Sequence, residues 1–213
     1  MVLSFENEEI GVTSNANAFC RELTEPQKKE LKEKLEKQFC NILETLGIDV
    51  KNDQHTKETP KRLAKMYVDE VMVGRYTREP NITAFEATHQ DMVIVKDIDV
   101  RSMCSHHFVP IIGKAHVGYI PDKKVIGLSK FARIIEYFSR RPQIQEELTK
   151  QVFDYLYTLL QPKSLYIMIE AEHYCMIWRG VKNNESKTIT SYCCDEVKNN
   201  LNLKSEYLNL VKG

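Results

Sequence analysis

Apolar residues fall three and four apart along residues 31–46, where Leu31, Leu35, Phe39, Ile42, Leu43 and Leu46 are separated mainly by charged and polar side chains. That is the spacing of one buried helix face. Thr24-Glu25-Pro26-Gln27 stands before the run as a capping box with proline in the first turn, and Gly47 follows as a stop. Thr59-Pro60 opens a second helix with Leu63, Met66, Tyr67, Val71 and Met72 on its stripe and Gly74 after it; the polar stretch 49–58 connects the two. Residues 1–22 show no period and read as a loose tail, and 75–91 read as loop with some extended structure.

From Met92 the period changes. Residues 92–98, 108–112 and 114–120 are rich in β-branched residues and read as strands, with Pro121-Asp122-Lys123-Lys124 as a turn. A helical block follows. Ser129 is its expected N-cap, and Phe131, Ile134, Ile135 and Phe138 form its stripe. Arg141-Pro142 is expected to break that helix and start another, whose buried face is Ile144, Leu148, Val152, Tyr155, Leu156 and Leu159, closed by Pro162. Residues 165–172 read as a strand that His173 and Cys175 would continue, and 186–192 as a further strand. Residues 198–203 read as a linker and 206–211 as a short helix. Helices, strands, helices and strands in that order predict an α+β fold with an antiparallel sheet.

The chain has 213 residues, with 30 basic and 30 acidic side chains and no net formal charge. Nothing global invites nucleic acid or a membrane surface, so an anion would have to be held by a local cluster. The first residues carry no basic region followed by an apolar run, and no stretch approaches a bilayer span. A cytoplasmic setting is expected, in which the six cysteines stay reduced. Cys20, Cys40, Cys193 and Cys194 are read as plain thiols. His55 and His89 receive no role, His116 is read as structural, and Tyr119 and Trp178 as core or interface aromatics.

Cys104-Ser105-His106-His107 and His173-Tyr174-Cys175 carry the chemistry that composition does not. Thiolate and imidazole are zinc's preferred ligands, and the spacing of Cys104 and His107 lets both reach one ion from a tight turn. With Cys175 as a third ligand, one tetrahedral position stays open for a water whose pKa zinc lowers to about 7. Cys104, His107, His173 and Cys175 could equally make a closed structural site, because alternate residues on a strand share a face. A disulfide is a third reading. Spacing does not choose among them.

Cys104-Ser-His-His, His116-Val-Gly-Tyr-Ile-Pro, Val125-Ile-Gly-Leu-Ser-Lys, Arg140-Arg-Pro-Gln-Ile-Gln-Glu, Glu170-Ala-Glu-His-Tyr-Cys-Met and Arg179-Gly-Val occur in the order and spacing of GTP cyclohydrolase I, and the chain resembles that family from about Thr59 to Ser191. The resemblance implies a T-fold, with helices packed on one face of an antiparallel sheet and an N-terminal helical extension. It divides the chain into a tail and helix at 1–50 and a catalytic domain at 51–213. It also implies a homodecamer of two pentamers with active sites where subunits meet. The implied reaction turns GTP and water into formate and 7,8-dihydroneopterin triphosphate, the first step of pterin biosynthesis. The implied cofactor is Zn2+ on Cys104, His107 and Cys175, leaving His173 as an acid toward the purine and His106 for proton transfer or ring opening. Glu146 would read the guanine edge with two acceptor oxygens, supported by Gln145. Ser129, Lys130, Arg133 and Arg179 would hold the triphosphate, with Arg62 and Lys65 reaching in from a neighbouring subunit; Arg140 and Arg141 are read as structural or rim charges.

Two departures stand out. Ser105 occupies a position where the family usually has glutamate, and a hydroxyl there lacks the negative charge. Cys193-Cys194-Asp195 replaces small residues. These leave a second reading, a weakened or inactive T-fold protein with a structural zinc, kept for assembly or ligand binding.

Overall fold

The structure, a computed structural model, describes residues 21–212. Most of the expected tail and Cys20 lie outside the described residues. The chain divides into two compact units, the first ending at Arg78 and the second running from Glu79. Packing therefore puts the break after Arg78 and not after residue 50.

The reason lies in the first unit. Helix α1 (Glu25–Thr45) opens on the expected capping box, with Thr24 Oγ1 accepting from the Gln27 amide. Helix α2 (Thr59–Lys65) packs beside it and runs on through a π-helical segment, Met66–Val71, into a short 3-10 turn, Val73–Arg75. Phe39 stacks on Tyr67 with ring centroids 5.4 Å apart, and Lys32 pairs with Asp69 at 2.8 Å. These contacts tie the N-terminal helix to residues beyond 50.

The second unit is built on five strands in the order β5-β2-β3-β6-β7: β2 (Val93–Cys104), β3 (Pro110–Ile120), β5 (Pro142–Gln143), β6 (Ser164–His173) and β7 (Lys187–Cys193). Strands β2, β3, β6 and β7 pair antiparallel, as expected, but the short β5 runs parallel to β2 through Met103↔Pro142 and Cys104↔Gln143. A separate pair joins β1 (Ala84–Glu86) to β4 (Lys124–Ile126). Strand β2 carries a bulge between Val95 and Ile98, where Asp97 takes φ 60°, a conformation Asp tolerates better than most residues. The Asp97 amide donates to Nδ1 of buried His116, which supports a structural part for that ring.

One face of the sheet is apolar: Val100, Ala115, Val117, Leu165, Ile167 and Ile169 are all fully buried. Helix α3 (Leu128–Ser139) presses Phe131, Ile134 and Ile135 onto it, with Phe131 against Tyr119. Helix α4 (Gln145–Leu160) adds Leu148, Val152 and Leu156. The N-cap of α3 is Gly127, so Ser129 sits inside the first turn. Arg141-Pro142 ends α3 but does not begin α4. Pro142 and Gln143 first pair with β2, and α4 starts at Gln145 after Ile144. Arg141 is buried against Tyr137 and Phe138, with its guanidinium carbon 4.3 and 4.9 Å from the two ring centres.

Helices are not confined to that face. The expected linker at 198–203 is mostly helix, because α6 (Asp195–Lys198) and α7 (Leu201–Lys212) leave only Asn199 and Asn200 between them. Tyr207 of α7 stacks on Tyr166 at 5.7 Å and bonds Ser164 Oγ at 2.8 Å. Ser164, Tyr166 and Gly118 face away from the α3–α4 side, so α7 covers the opposite face at one end. The rest of that face carries the Arg101–Asp99, Lys114–Asp99 and Lys187–Glu170 pairs at 2.6, 2.7 and 3.0 Å, exposed ion pairs of small energetic weight. Cys193 and Cys194 are buried where β7 turns into α6, and the Leu165 amide points at Cys194 Sγ at 3.3 Å.

Candidate metal centre

Strand β2 ends at Cys104, and a turn through Ser105, His106 and His107 leads into β3. The turn is closed by two backbone bonds of 2.9 Å: Phe108 N–H donates to Cys104 O, and Cys104 N–H donates to Val109 O. Phe108 carries a positive φ of 53°, the bend that returns the chain. Ser105 N–H is held by Gln143 O, and the Gln143 side chain donates in turn to Ser102 Oγ and Phe138 O. The two-residue strand β5 is thus the brace beneath the turn. No periodicity marks so short an element in the sequence.

Cys175 arrives from β6. That strand stops at His173, and residues Tyr174–Ile177 form a single helical turn, α5. His173 and Cys175 therefore do not share a strand face, contrary to the expected continuation. The ligand atoms of Cys104, His107 and Cys175 all lie within 4.8 Å of one another, and His173 is not in the group. Instead His173 Nε2 lies 2.7 Å from Gln145 Oε1.

The donor set suits a metal ion. Burial pushes the Cys175 thiol up, and the adjacent Cys104 sulfur pushes it further in the same direction. A cation would relieve that hindrance to the Cys175 thiolate, and two sulfurs with one imidazole are zinc-type ligands. His106 is exposed, with Nδ1 3.8 Å from Cys104 Sγ. Arg179 donates from its Nη1 to His107 Nε2 at 3.1 Å, so its guanidinium stands at the cluster.

Around this point the sheet register collects further groups. Glu146 is exposed in the first turn of α4 and near enough to His173 to favour its protonated form, while burial, the larger effect, pulls the ring below its ordinary range. Gln145 is buried. Its Nε2 donates to Ile169 O and Thr188 O at 3.0 Å and to Thr190 Oγ1 at 3.1 Å. Both ends of its amide are engaged within the chain, an arrangement that the helical pattern of α4 does not reveal.

The cationic residues are placed differently. Ser129 and Lys130 lie in the first turn of α3 and Arg133 near its middle, and it is the other end of α3 that leads to β5 and Cys104. At ~1.5 Å of rise per residue, Ser129 is about 15 Å along the axis from Ser139. Arg62 and Lys65 are exposed on α2 in the first unit. Trp178, just past the cluster, is 73% exposed and so belongs to no core among the described residues.

The family model for GTP cyclohydrolase I matches residues 35–212, well over half of the chain. The chain belongs to the GTP cyclohydrolase I family. GTP cyclohydrolase 1 of Streptococcus agalactiae serotype V is 46% identical over 184 residues, covering 84% of this chain and 97% of that one. The Sulfurihydrogenibium protein of the same name is 44% identical over 184 residues, covering 85% and 96%. That of Aeromonas salmonicida is 45% identical over 188 residues, covering 87% and 86%. Membership extends through both cysteine–histidine segments, α3 and α4, so the cluster stands within the family's matched region. Among the described residues, no helix is long and apolar enough to cross a membrane.

Proposed function

We propose that this protein is a GTP cyclohydrolase I, converting GTP and water to formate and 7,8-dihydroneopterin triphosphate with Zn2+ held by Cys104, His107 and Cys175. The observation that carries the reading is the split between ligands and acid. Three sulfur and nitrogen ligands converge, while His173 is bonded elsewhere and stays available to the substrate. The names of the relatives support the same activity over nearly their whole length.

When bound, the metal supplies a Lewis acid that makes water nucleophilic near neutral pH. The chain's own residues do the rest. His173 gives a proton to the purine nitrogen next to the imidazole-ring carbon under attack, which makes that carbon electrophilic. His106, exposed at the rim of the turn and beside the Cys104 sulfur, serves proton transfer and ring opening. Glu146 accepts the guanine ring N–H and its exocyclic amine, two donors side by side that suit one carboxylate. Ser129, Lys130, Arg133, Arg179, Arg62 and Lys65 hold the triphosphate.

Ser129, Lys130 and Arg133 enter from a second copy of the chain. The position of Ser129 and Lys130 at the far end of α3 from Cys104 supports this, as does Trp178, exposed beside the cluster. The reading includes a T-fold homodecamer of two pentamers with shared sites, in the cytoplasm.

The test is to incubate the zinc-loaded protein with GTP, oxidise, and measure fluorescent neopterin. Product is expected from the wild type. His173→Ala should keep its zinc and fold yet lose product by at least about 100-fold, the scale of a lost general acid. A wild type with full zinc and no product would overturn the reading in favour of an inactive T-fold protein, and Ser105→Glu would then be the first variant to make.

A further inference from the structure

We propose that Gln145 is a positioning residue that holds His173 with its proton on Nε2, so that Nδ1 is the ring nitrogen that exchanges a proton with the substrate. This rests on the proposed role of His173 and adds which nitrogen acts and what selects it.

The argument is a count of protons in a buried network. Thr149 Oγ1 lies 2.8 Å from the Gln145 backbone carbonyl, which can only accept, so the single Thr149 hydroxyl proton is spent there. Thr149 Oγ1 is also 2.6 Å from Thr190 Oγ1. With Thr149's proton committed, Thr190 must donate in that contact. Thr190 Oγ1 then has only lone pairs left for the Gln145 amide 3.1 Å away. The other two partners of that end of the amide, Ile169 O and Thr188 O at 3.0 Å, are carbonyls. Three acceptors meet one end of the side chain, so that end is the NH2 group. Turning the amide over would set an oxygen against all three, leaving buried acceptors facing one another with no proton between them.

The opposite end is then Oε1, an acceptor with no proton. It sits 2.7 Å from His173 Nε2, so Nε2 must carry a hydrogen. Nδ1 has no partner among the described residues. The proton transfer balances on that basis: the Nδ1–H bond breaks as the purine N–H forms, and the ring returns to its neutral Nε2–H form, still donating to Gln145. Burial makes the restraint stiff. Gln145 is 1% exposed and is anchored to β6 and β7, two adjacent strands.

The experiment is NMR of the zinc-loaded full-length protein labelled with 15N at histidine, with His173 assigned by the signal missing in His173→Ala. The expected spectrum shows a slowly exchanging N–H at Nε2 of His173 and none at Nδ1 of the neutral ring. Gln145→Leu should lose that protected N–H. In the neopterin assay Gln145→Leu should lower kcat by about 10- to 100-fold, the range for residues that orient a functional histidine, with KM for GTP within about twofold. A proton on Nδ1 in the wild type would overturn the proposal, and this reading needs no variant to fold. A folded Gln145→Leu with unchanged kcat, or with a raised KM and unchanged kcat, would overturn it too. A wild type without product would instead sink the assigned activity, while leaving the proton's position measurable.

Discussion

Gly118 lies under Tyr207, and the clearance between them decides whether α7 can dock. A methyl group built on Gly118 would stand 2.4 Å from both Cδ1 and Cε1 of Tyr207 and 2.7 Å from Ile94 Cδ1. Carbon atoms in contact prefer ~3.5–4.0 Å, so the ring would have to retreat by more than about 1 Å. It has little room to do so. Tyr207 is 0% exposed, stacked on Tyr166 and bonded to Ser164 Oγ, which is itself 2% exposed. Overpacking of this kind costs about 1–3 kcal/mol. Separating the two hydroxyls inside the protein adds about 1–3 kcal/mol. Alanine's lower chain entropy when unfolded returns about 0.5–1 kcal/mol. Gly118→Ala should therefore lose about 1–5 kcal/mol, a large part of the ~5–15 kcal/mol that holds a typical domain folded.

Urea unfolding followed by circular dichroism reads this as a lower midpoint at unchanged slope. The cause is checked by a double-mutant cycle, since in a Tyr207→Ala background the added methyl meets only the tip of Ile94 and should cost much less. Gly113→Ala is the contrasting case. Its methyl would meet Glu170 O at 2.1 Å and Ala171 Cβ at 2.5 Å, on the neighbouring strand itself. A strand cannot rotate aside, so Gly113→Ala should be harsher than Gly118→Ala. A Gly118→Ala protein within about 0.5 kcal/mol of wild type would refute the packing argument.

Tyr207 also sets a pH dependence: burial pushes its phenol up to about 12 from 10.0, with the Ser164 bond opposing. The folded chain holds this proton more tightly than the unfolded chain, so the stabilisation is complete below the unfolded value and fades as pH rises from 10 toward 12. Wild type should lose about 2–3 kcal/mol more than Tyr207→Phe across that window in urea titrations, at about 1.4 kcal/mol per unit; parallel losses would contradict the assignment. Cys104→Ser and Cys175→Ser should each abolish most metal retention after gel filtration, measured by plasma emission, whereas His173→Ala should stay metal-replete. If His173→Ala lost its metal as fully as the cysteine variants, the three-ligand reading would fail. Co-expression of His173→Ala with Lys130→Ala should recover about a quarter of wild-type neopterin formation or more if sites are shared between copies, because mixed assemblies contain sites with both residues intact. Recovery no greater than the sum of the two variants alone would place Lys130 and His173 in one chain's site.

How far the chain could be read in advance varied with the kind of signal. The capping box at Thr24, the stripes of α3 and α4 and strands β6 and β7 are legible in the sequence, whereas β2 runs on past residue 98 to Cys104 and β3 joins across Gly113 the two strands expected at 108–112 and 114–120. What escaped was short or set by partners far along the chain. Pro142 and Gln143 form a strand only because Met103 and Cys104 lie beside them. Asn199 and Asn200 looked like a linker by composition, yet Leu203 and Tyr207 beyond them find the sheet and draw a helix back almost to the asparagines. The site was legible in its ligands and not in its supports. Cysteine and histidine at metal spacing announce themselves, whereas Gln145 stood on a helix with no mark that β6 and β7 would close around its amide.

One junction ties these observations together. A strand places alternate residues on one face, so had β6 run on through Cys175, His173 and Cys175 would have been equivalent and a closed four-ligand site natural. The chain turns helical at Tyr174 instead. That change of direction sends Cys175 to join Cys104 and His107 and leaves His173 on the sheet, where α4 begins and Gln145 can hold it. The division between the proposed ligands and the proposed proton donor is thus made by the backbone. The same three residues, His173-Tyr174-Cys175, would serve a structural site in one conformation and the proposed hydrolytic site in the other.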